Sequence, residues 1–478
     1  MDQEISNVLL EDTTEQQESD ELQSAIATYM PDRQIITFSA AMQVAPRESS
    51  GPAHFTGTHT GYFFHEWIHY LHNVSTGHGI TAFANLVVLW SAFRSTTDNH
   101  GFGQGESPSA PVEEFMVKQR LELLVTTRGS RGGKLPAWAT PDRCKVVSHA
   151  PASREGYGRD HISMTVEVSN AEGAVTTLST SLGAHEILES VAYLLEKRLV
   201  NALGGEPSPV PVVPYHALVL LAKHVAPALT EEEVLICGLG SLQYTFPADA
   251  IGHLFSECNA ATAGAQVRPR MHKLVVDNLN EHQTEIQRCL DDMEATFPSD
   301  AGFGKAAREV VSTMRRNINA RLVRPFFELD LIDQVEASGI QGFHVLMDEF
   351  MKAHGVCSCK QERPGFLDDL GRDDLFEFAI AARDDDLNQA RRIMQASFEF
   401  LARHFSTDGT LRSTQAARLG PCLFYTSCRE PMRHERGDDC RNQPWLAAIA
   451  EGHKCWYAQG VLQLRPDHPA PSTCSTTA

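Results

Sequence analysis

The chain has 478 residues and a formal net charge of −20, from 61 acidic and 41 basic residues. With 42% hydrophobic and 21% charged residues, its composition is that of a globular protein with a sizeable core. The acidic balance argues against non-specific binding to nucleic acids or anionic membranes, because both need basic surfaces. The length exceeds what one core usually serves, so we expect more than one packed unit.

The N-terminal segment predicts neither a secretory signal nor a membrane anchor. Residues 1–25 are rich in acid and are expected to form a mobile tail, whereas a signal peptide would need basic and then apolar residues there. The longest apolar stretch, at 79–93, is too short to cross a bilayer and indicates a buried helix. We therefore expect a cytoplasmic protein, with the 11 cysteines as free thiols or metal ligands.

The first predicted elements are short strands and two apolar helices. Residues 33–45 predict one or two strands, and a helical pattern then runs from Gly61 to about Asn73. The letters STGHG at 75–79 predict the end of that helix. A second apolar helix is predicted from about Ile80 to Arg94, and a short amphipathic helix over 112–125.

The following region alternates polar and apolar residues with a period of two. KVVSH at 145–149, ISMTVEV at 162–168 and AVTTLSTSL at 174–182 predict three strands, with a turn at 170–173 between the last two. The period then changes to that of a helix over 183–200. We expect these strands to form a small antiparallel sheet.

The second half of the chain is predicted to be mostly helical. A proline-rich connector at 206–214 leads into helices that continue to about residue 354, and a further helix is predicted at 385–405. The predicted fold is an α-dominated α+β protein with a zincin-like core. Three units are predicted. The first, residues 26–205, binds metal, and the second, residues 206–355, is helical. The third, residues 356–478, is helical and then irregular, and it contains cysteines.

The chemistry is predicted by FFHEWIHYLHNVST at 63–76, which contains the pattern H-E-x-x-H. Residues four apart share one face of a helix, so His65 and His69 can direct two imidazoles at one zinc ion. Glu66 lies about 100° around the helix, where it can take a proton from a water molecule on that ion. The alternative is an apolar core helix whose histidines hydrogen-bond to the protein. His72 lies about 10 Å from His65 along the axis, too far to bind the same ion, so it lines the cleft or packs in the core.

A catalytic zinc ion needs a third protein ligand. In one group of zinc sites the third ligand is a histidine in the longer pattern H-E-x-x-H-x-x-G-x-x-H. Here Ser75 occupies the position of that histidine, so the pattern fails, and His78 remains as a weaker candidate for the third ligand. A downstream helix, GAHEILESVAYLLE, offers Glu189 within E-S-V-A, with His185 and Glu186 as rivals. With these two segments the chain resembles the gluzincin metallopeptidases. The resemblance implies His65, His69 and Glu189 as zinc ligands and Glu66 as the general base.

Peptidases of this type also bind an extended peptide along an edge strand and stabilise an oxyanion. The strands at 161–182 are candidates for that edge. The candidate oxyanion donors are Tyr157, His161, Tyr193, Tyr215, His216 and Tyr244. The sequence does not select among them.

The C-terminal region carries a second group of possible metal ligands, namely Cys422, Cys428, His434, Cys440, His453 and Cys455. Their spacings match no standard zinc ribbon or finger, and free thiols are the simpler interpretation. Cys357 and Cys359 are a weaker redox or metal candidate. Motifs of serine hydrolases, P-loop proteins and dinucleotide-binding proteins are absent from the sequence.

The sequence thus predicts a zinc metallopeptidase in which Glu66 assists attack of zinc-bound water on a peptide or protein substrate. A protein partner could dock on the helical C-terminal half. The alternative function is a regulatory or interaction protein that keeps a structural zinc site without catalysis.

Overall fold

The computed structural model describes residues 26–42, 57–105, 134–153, 159–261, 267–299, 302–362, 375–377, 384–405, 411–426, 428, 430–452 and 454–466. The predicted acidic tail at 1–25 and the predicted helix at 112–125 lie outside the described residues. Within them, no helix is both long and apolar enough to cross a membrane.

The described strands form two small sheets. The strands are β1 (Ala27–Met30), β2 (Ile35–Phe38), β3 (Cys144–Ser153), β4 (Arg159–Ser169), β5 (Val175–Leu182), β6 (Ser358–Gln361) and β7 (Leu375–Glu377). The first sheet has the order β1-β2-β6-β7, with β2 and β6 parallel, and the second is the antiparallel β3-β4-β5. The second sheet confirms the prediction from the period-two pattern.

Helices make up most of the described chain. They are α1 (Gly57–Asn73), α2 (Gly77–Arg94), α3 (Ala184–Ala202), α4 (Ala217–Val225), α5 (Glu231–Ser241), α6 (Pro247–Ala261), α7 (Val267–Glu281), α8 (Gln283–Thr296), α9 (Phe303–Val323), α10 (Phe327–Ser338), α11 (Ile340–His354), α12 (Asp385–Ala402), α13 (Met432–Glu435), α14 (Gly437–Asn442) and α15 (Trp456–Leu462). The α-dominated α+β class is confirmed. The zincin-like character of the core and the unit boundaries stay predictions.

The turn between α1 and α2 explains the glycines of STGHG. The helix α1 ends at Asn73, as predicted, and α2 begins at Gly77 with Thr76 as its N-cap, whose Oγ1 accepts a hydrogen bond from the N–H of Gly79 at 3.0 Å. A Cβ on Gly79 would lie 2.3 Å from the carbonyl oxygen of His72. The glycine there therefore permits close approach of the two helices and belongs to α2 itself.

The motif helix α1 begins four residues earlier than predicted because tertiary packing overrides weak helix propensity. Its apolar residues are completely buried, among them Phe64, Trp67 and Ile68. The helix packs against α3. A Cβ on Gly61 would lie 2.7 Å from Cγ2 of Val200, so this glycine also lets α1 approach α3.

A buried ion pair fixes the C-terminal end of α1 in the core. Arg321 of α9 donates from Nη2 to Oε1 of Glu328 at 2.5 Å and from Nε to the carbonyl oxygen of Ser75 at 2.6 Å. Nε2 of His72 lies 3.4 Å from the same Glu328 oxygen. Burial alone raises the pKa of Glu328, but the charge on Arg321 and the contact with His72 outweigh it and lower the pKa from 4.5 to about 2.

Replacing Glu328 by glutamine is expected to lower the free energy of unfolding by about 3–5 kcal/mol at neutral pH, because Arg321 would stay buried without its partner. The lowered pKa means that the carboxylate stabilises the fold above pH 4.5 and that this stability is lost as the pH falls towards 2. Urea unfolding of both proteins between pH 7 and pH 3 would show the difference shrinking with acid.

The matched control is Glu336→Gln, which breaks the exposed pair of Glu336 with Arg198. Exposed pairs contribute less than about 1 kcal/mol, so this variant should unfold nearly as the wild type does. Equal losses in the two variants would contradict the role given to the buried pair.

Candidate metal centre

His65 and His69 lie one turn apart on α1, and their rings are close. The ring centroids are 4.8 Å apart and the ring planes are inclined by 76°. His65 is buried and His69 is partly buried. This arrangement follows from the helical spacing of four residues, as the motif predicted.

Glu189 of α3 completes the group from the neighbouring helix. Its Oε2 lies 3.2 Å from Nε2 of His65, and its Oε1 lies 3.4 Å from Nε2 of His69. One ligand atom from each of the three residues falls within 4.8 Å of the other two. The structure therefore holds a His-His-Glu group close enough to bind one metal ion.

Two spacings, each measured to a different oxygen of Glu189, approach those around a tetrahedral zinc ion. Two donors that each lie about 2.0–2.1 Å from such an ion are separated by about 3.3–3.4 Å. The separations of 3.2 Å and 3.4 Å between the Glu189 oxygens and the imidazole nitrogens are close to that value. Among the described residues the group has three members, which leaves the fourth tetrahedral position for water or substrate.

The charges of the group are mutually stabilising. Burial lowers the pKa of His65, but its hydrogen bonds to Glu189 and Glu196 outweigh burial and raise the pKa well above the ordinary value. Burial raises the pKa of Glu189, but the charge of His69 and the contact with His65 hold the pKa well below its ordinary range. A carboxylate and a cationic imidazole thus face each other where a divalent cation would replace the proton.

Glu66 lies beside these ligands on α1 and is partly buried. Burial raises the pKa of its carboxyl group, and the charges of His65 and His69 act against that increase. The carboxylate also accepts a hydrogen bond from the backbone N–H of Tyr29 in β1. A carboxyl group with a raised pKa, fixed beside a metal-ligand set, is suited to accepting and returning a proton.

Glu196 is the residue of the site that the sequence did not reveal. It lies two turns after Glu189 on α3, is 4% exposed, and its Oε2 is 2.9 Å from Nδ1 of His65. A carboxylate on Nδ1 fixes the tautomer and the ring orientation that direct Nε2 towards a metal ion. Its spacing of seven residues from Glu189 was a usable signal, but surface glutamates commonly show the same spacing.

Replacing Glu196 by glutamine is expected to weaken zinc binding at this centre about 10- to 100-fold, because His65 loses a charged partner at Nδ1. The measurement is the zinc affinity, obtained by competition with a zinc indicator of known affinity. Only the zinc ion that is lost in His65→Ala is counted, because that ion occupies this centre. Glu231→Gln is the control, because Glu231 is an exposed partner of Lys197. Unchanged affinity in Glu196→Gln would show that Glu196 does not orient His65.

The rival ligands lie outside the group. Glu186 is buried at the start of α3, where its Oε2 accepts a hydrogen bond from the N–H of Gly183 at 2.7 Å as an N-terminal cap. Nδ1 of His185 lies 4.0 Å from Oε1 of Glu189, at the margin of the site. His72 packs against Glu328, and His78 faces the carbonyl oxygen of Thr245 at 3.1 Å.

Among the candidate oxyanion donors, Tyr215 lies at the site. Its ring centroid is 5.9 Å from that of His65, and the side chain is only partly buried. Burial raises the pKa of the Tyr215 hydroxyl, and the charges of Glu189 and Glu66 raise it further, so the hydroxyl stays a hydrogen-bond donor. Tyr193 packs on Tyr215 at 5.8 Å. Tyr157 lies outside the described residues.

The proline-rich connector at 206–214 positions Tyr215. Oγ of Ser190, the residue after Glu189, donates a hydrogen bond to the carbonyl oxygen of Pro214 at 2.8 Å. The hydroxyl groups of Tyr62 on α1 and Ser208 in the connector are 2.7 Å apart. The connector is thereby attached to both helices that carry the His-His-Glu group.

Comparisons of the chain with models of protein families, with curated proteins and with solved structures find no match. The function is therefore inferred from the side chains of the site.

Proposed function

We propose that the protein is a zinc-dependent hydrolase, specifically a metallopeptidase of gluzincin type that cleaves a peptide or protein substrate. The observation that carries the proposal is the convergence of His65, His69 and Glu189 from two packed helices, with Glu66 beside them. The donor set of two imidazoles and one carboxylate is that of a catalytic zinc site rather than of a closed structural one.

The roles of the residues follow from their positions. A zinc ion held by the three ligands would supply a Lewis acid and lower the pKa of water to about 7. Glu66 accepts the proton of the attacking water and delivers it to the leaving amine. The Tyr215 hydroxyl donates a hydrogen bond to the oxygen of the substrate carbonyl as negative charge develops there.

Two edge strands are available to an extended substrate. The strand β5 is an edge of its sheet, and Gly183 alone separates it from α3, which carries Glu189. The strand β1 is an edge of the other sheet, and its Tyr29 N–H is hydrogen-bonded to Glu66. Either edge offers backbone groups that an extended peptide can pair with.

The test is zinc content together with hydrolysis. His65→Ala should lose about one zinc per chain relative to the wild type and should lose all cleavage of a peptide mixture followed by mass spectrometry. His253→Ala, at an exposed position on α6, is the control and should keep both. Unchanged zinc in His65→Ala would contradict the metal centre.

A different result would favour the regulatory alternative. That result has two parts: the zinc is lost in His65→Ala, and the wild-type protein cleaves no peptide. Together they would indicate a zinc site without catalysis. The donor set of two imidazoles and one carboxylate and the raised pKa of Glu66 favour the hydrolase.

A further inference from the structure

Four cysteines from separate segments of the C-terminal region line one pocket. They are Cys422, Cys428, Cys440 and Cys455, and all four carry free thiols. The segments are joined by the backbone, since the N–H of Cys422 donates to the carbonyl oxygen of Cys440 at 2.7 Å. Chain positions up to 33 residues apart (455 − 422) thus place their sulfur atoms around a common space.

The four thiols interact electrostatically with one another. Burial raises the pKa of Cys440, and the thiols of Cys455 and Cys428 raise it further. The pKa of Cys422 is raised in the same way, by burial and by Cys455 and Cys428.

Backbone N–H groups face two of these sulfurs. The Cys422 sulfur accepts a hydrogen bond from the N–H of Phe424, and the Cys428 sulfur accepts one from the N–H of Glu430. Thiolate ligands are stabilised by such donors.

We infer that Cys422, Cys428, Cys440 and Cys455 bind a second, structural zinc ion through four sulfurs. Each thiol would release its proton to solvent as its sulfur binds the ion. Arg433 and Glu430 also line the pocket, and the cation of Arg433 offsets the negative charge of four thiolates, whereas the carboxylate of Glu430 adds to it. His434 is exposed, and His453 lies outside the described residues.

Ion binding must contract the pocket. No three of the four sulfurs lie within 4.8 Å of one another, whereas sulfurs about 2.3 Å from a tetrahedral ion would be about 3.8 Å apart. A change of χ1 rotamer moves a cysteine sulfur by about 3 Å and is one way in which the sulfurs could approach each other. Cys422 and Cys428 lie in loops, Cys440 lies within the six-residue helix α14, and Cys455 is the residue before α15.

The position of the pocket indicates what the ion would stabilise. Tyr457, two residues after Cys455, donates to Oε2 of Glu399 on α12 at 2.5 Å. Arg403, just after α12, donates to the carbonyl oxygen of Pro421, which precedes Cys422, at 2.7 Å. A bound ion would therefore link the irregular C-terminal segments to each other and hold them against α12.

The test uses the full chain with both His65→Ala and His69→Ala, so that the first metal centre contributes nothing. This protein should retain about one zinc per chain. Exchange with Co²⁺ should give intense thiolate-to-cobalt charge-transfer absorption together with visible bands of a tetrahedral ion. Titration with a mercurial should release the zinc in proportion to the number of thiols that react, up to about four.

Cys440→Ser in the same background should reduce retained zinc from about one per chain to nearly none, whereas Cys289→Ser, outside the pocket, should leave it unchanged. If Cys440→Ser fails to fold, the cobalt spectrum of the chain with its cysteines intact still decides. A chain without zinc or cobalt absorption, or disulfide bonds among the four cysteines in mapped peptides, would overturn the inference.

Discussion

Replacing Glu66 by glutamine should lower kcat for peptide cleavage by about 10²- to 10⁴-fold while the zinc content stays at its wild-type value. Glutamine keeps the size and the hydrogen-bond acceptor of the side chain, including the oxygen that faces the Tyr29 N–H, but it cannot take a proton. The ligands His65, His69 and Glu189 are untouched. The measurement is kcat on a cleaved peptide beside elemental analysis of the same samples.

The control for this variant is Glu172→Gln, at an exposed turn between β4 and β5. It should keep both the zinc and the rate. Wild-type activity in Glu66→Gln would place the general base elsewhere. Loss of zinc in Glu66→Gln would show that the carboxylate supports the ligands rather than the reaction.

The two histidines were predictable because their relation is local. A spacing of four residues on a helix fixes the relative direction of two side chains, whatever the rest of the chain does. His65, Glu66 and His69 therefore lie as the motif predicted. The exclusion of His72 as a shared ligand rested on the same helical geometry, and the residue packs against Glu328 instead.

The identity of the third candidate ligand could not be predicted because it depends on tertiary packing. His185, Glu186 and Glu189 occupy neighbouring positions on one helix, and their order in the chain does not say which faces α1. The structure separates them because Glu186 is used by the N-terminal cap of α3 and Glu189 faces the histidines. Glu196, seven residues further on, was not predicted as part of the site, because only the packing of α3 shows that it is buried.

Of the short strands, β2 lies within the predicted residues 33–45, whereas β1, β6 and β7 were not predicted. The strand β6 spans four residues and pairs with β2, although Ile35 and Ser358, which are register partners, are more than three hundred residues apart. Four residues hold too few alternations to separate a strand from a loop. The longer strands β3 to β5 were predicted because each carries several alternations and Gly173 takes a positive φ of 83° in the turn.

Replacing Tyr215 by phenylalanine should lower kcat by about 10²- to 10³-fold and change KM and zinc content little. The hydroxyl is needed only when charge develops on the carbonyl oxygen, so its loss weakens transition-state binding more than substrate binding. The ring, which packs on His65 and Tyr193, would remain. The measurement is the separate determination of kcat and KM on one peptide, with elemental analysis of the enzyme.

Tyr244→Phe is the matched control, because the same hydroxyl is removed from a tyrosine whose pKa is raised by burial and by Glu281 rather than by the site carboxylates. It should behave as the wild type. A rise in KM with unchanged kcat in Tyr215→Phe would mean that the hydroxyl binds the substrate in its ground state. An unchanged kcat and KM would remove Tyr215 from the reaction and leave His185, at the margin of the site 4.0 Å from Glu189, as the next donor to test.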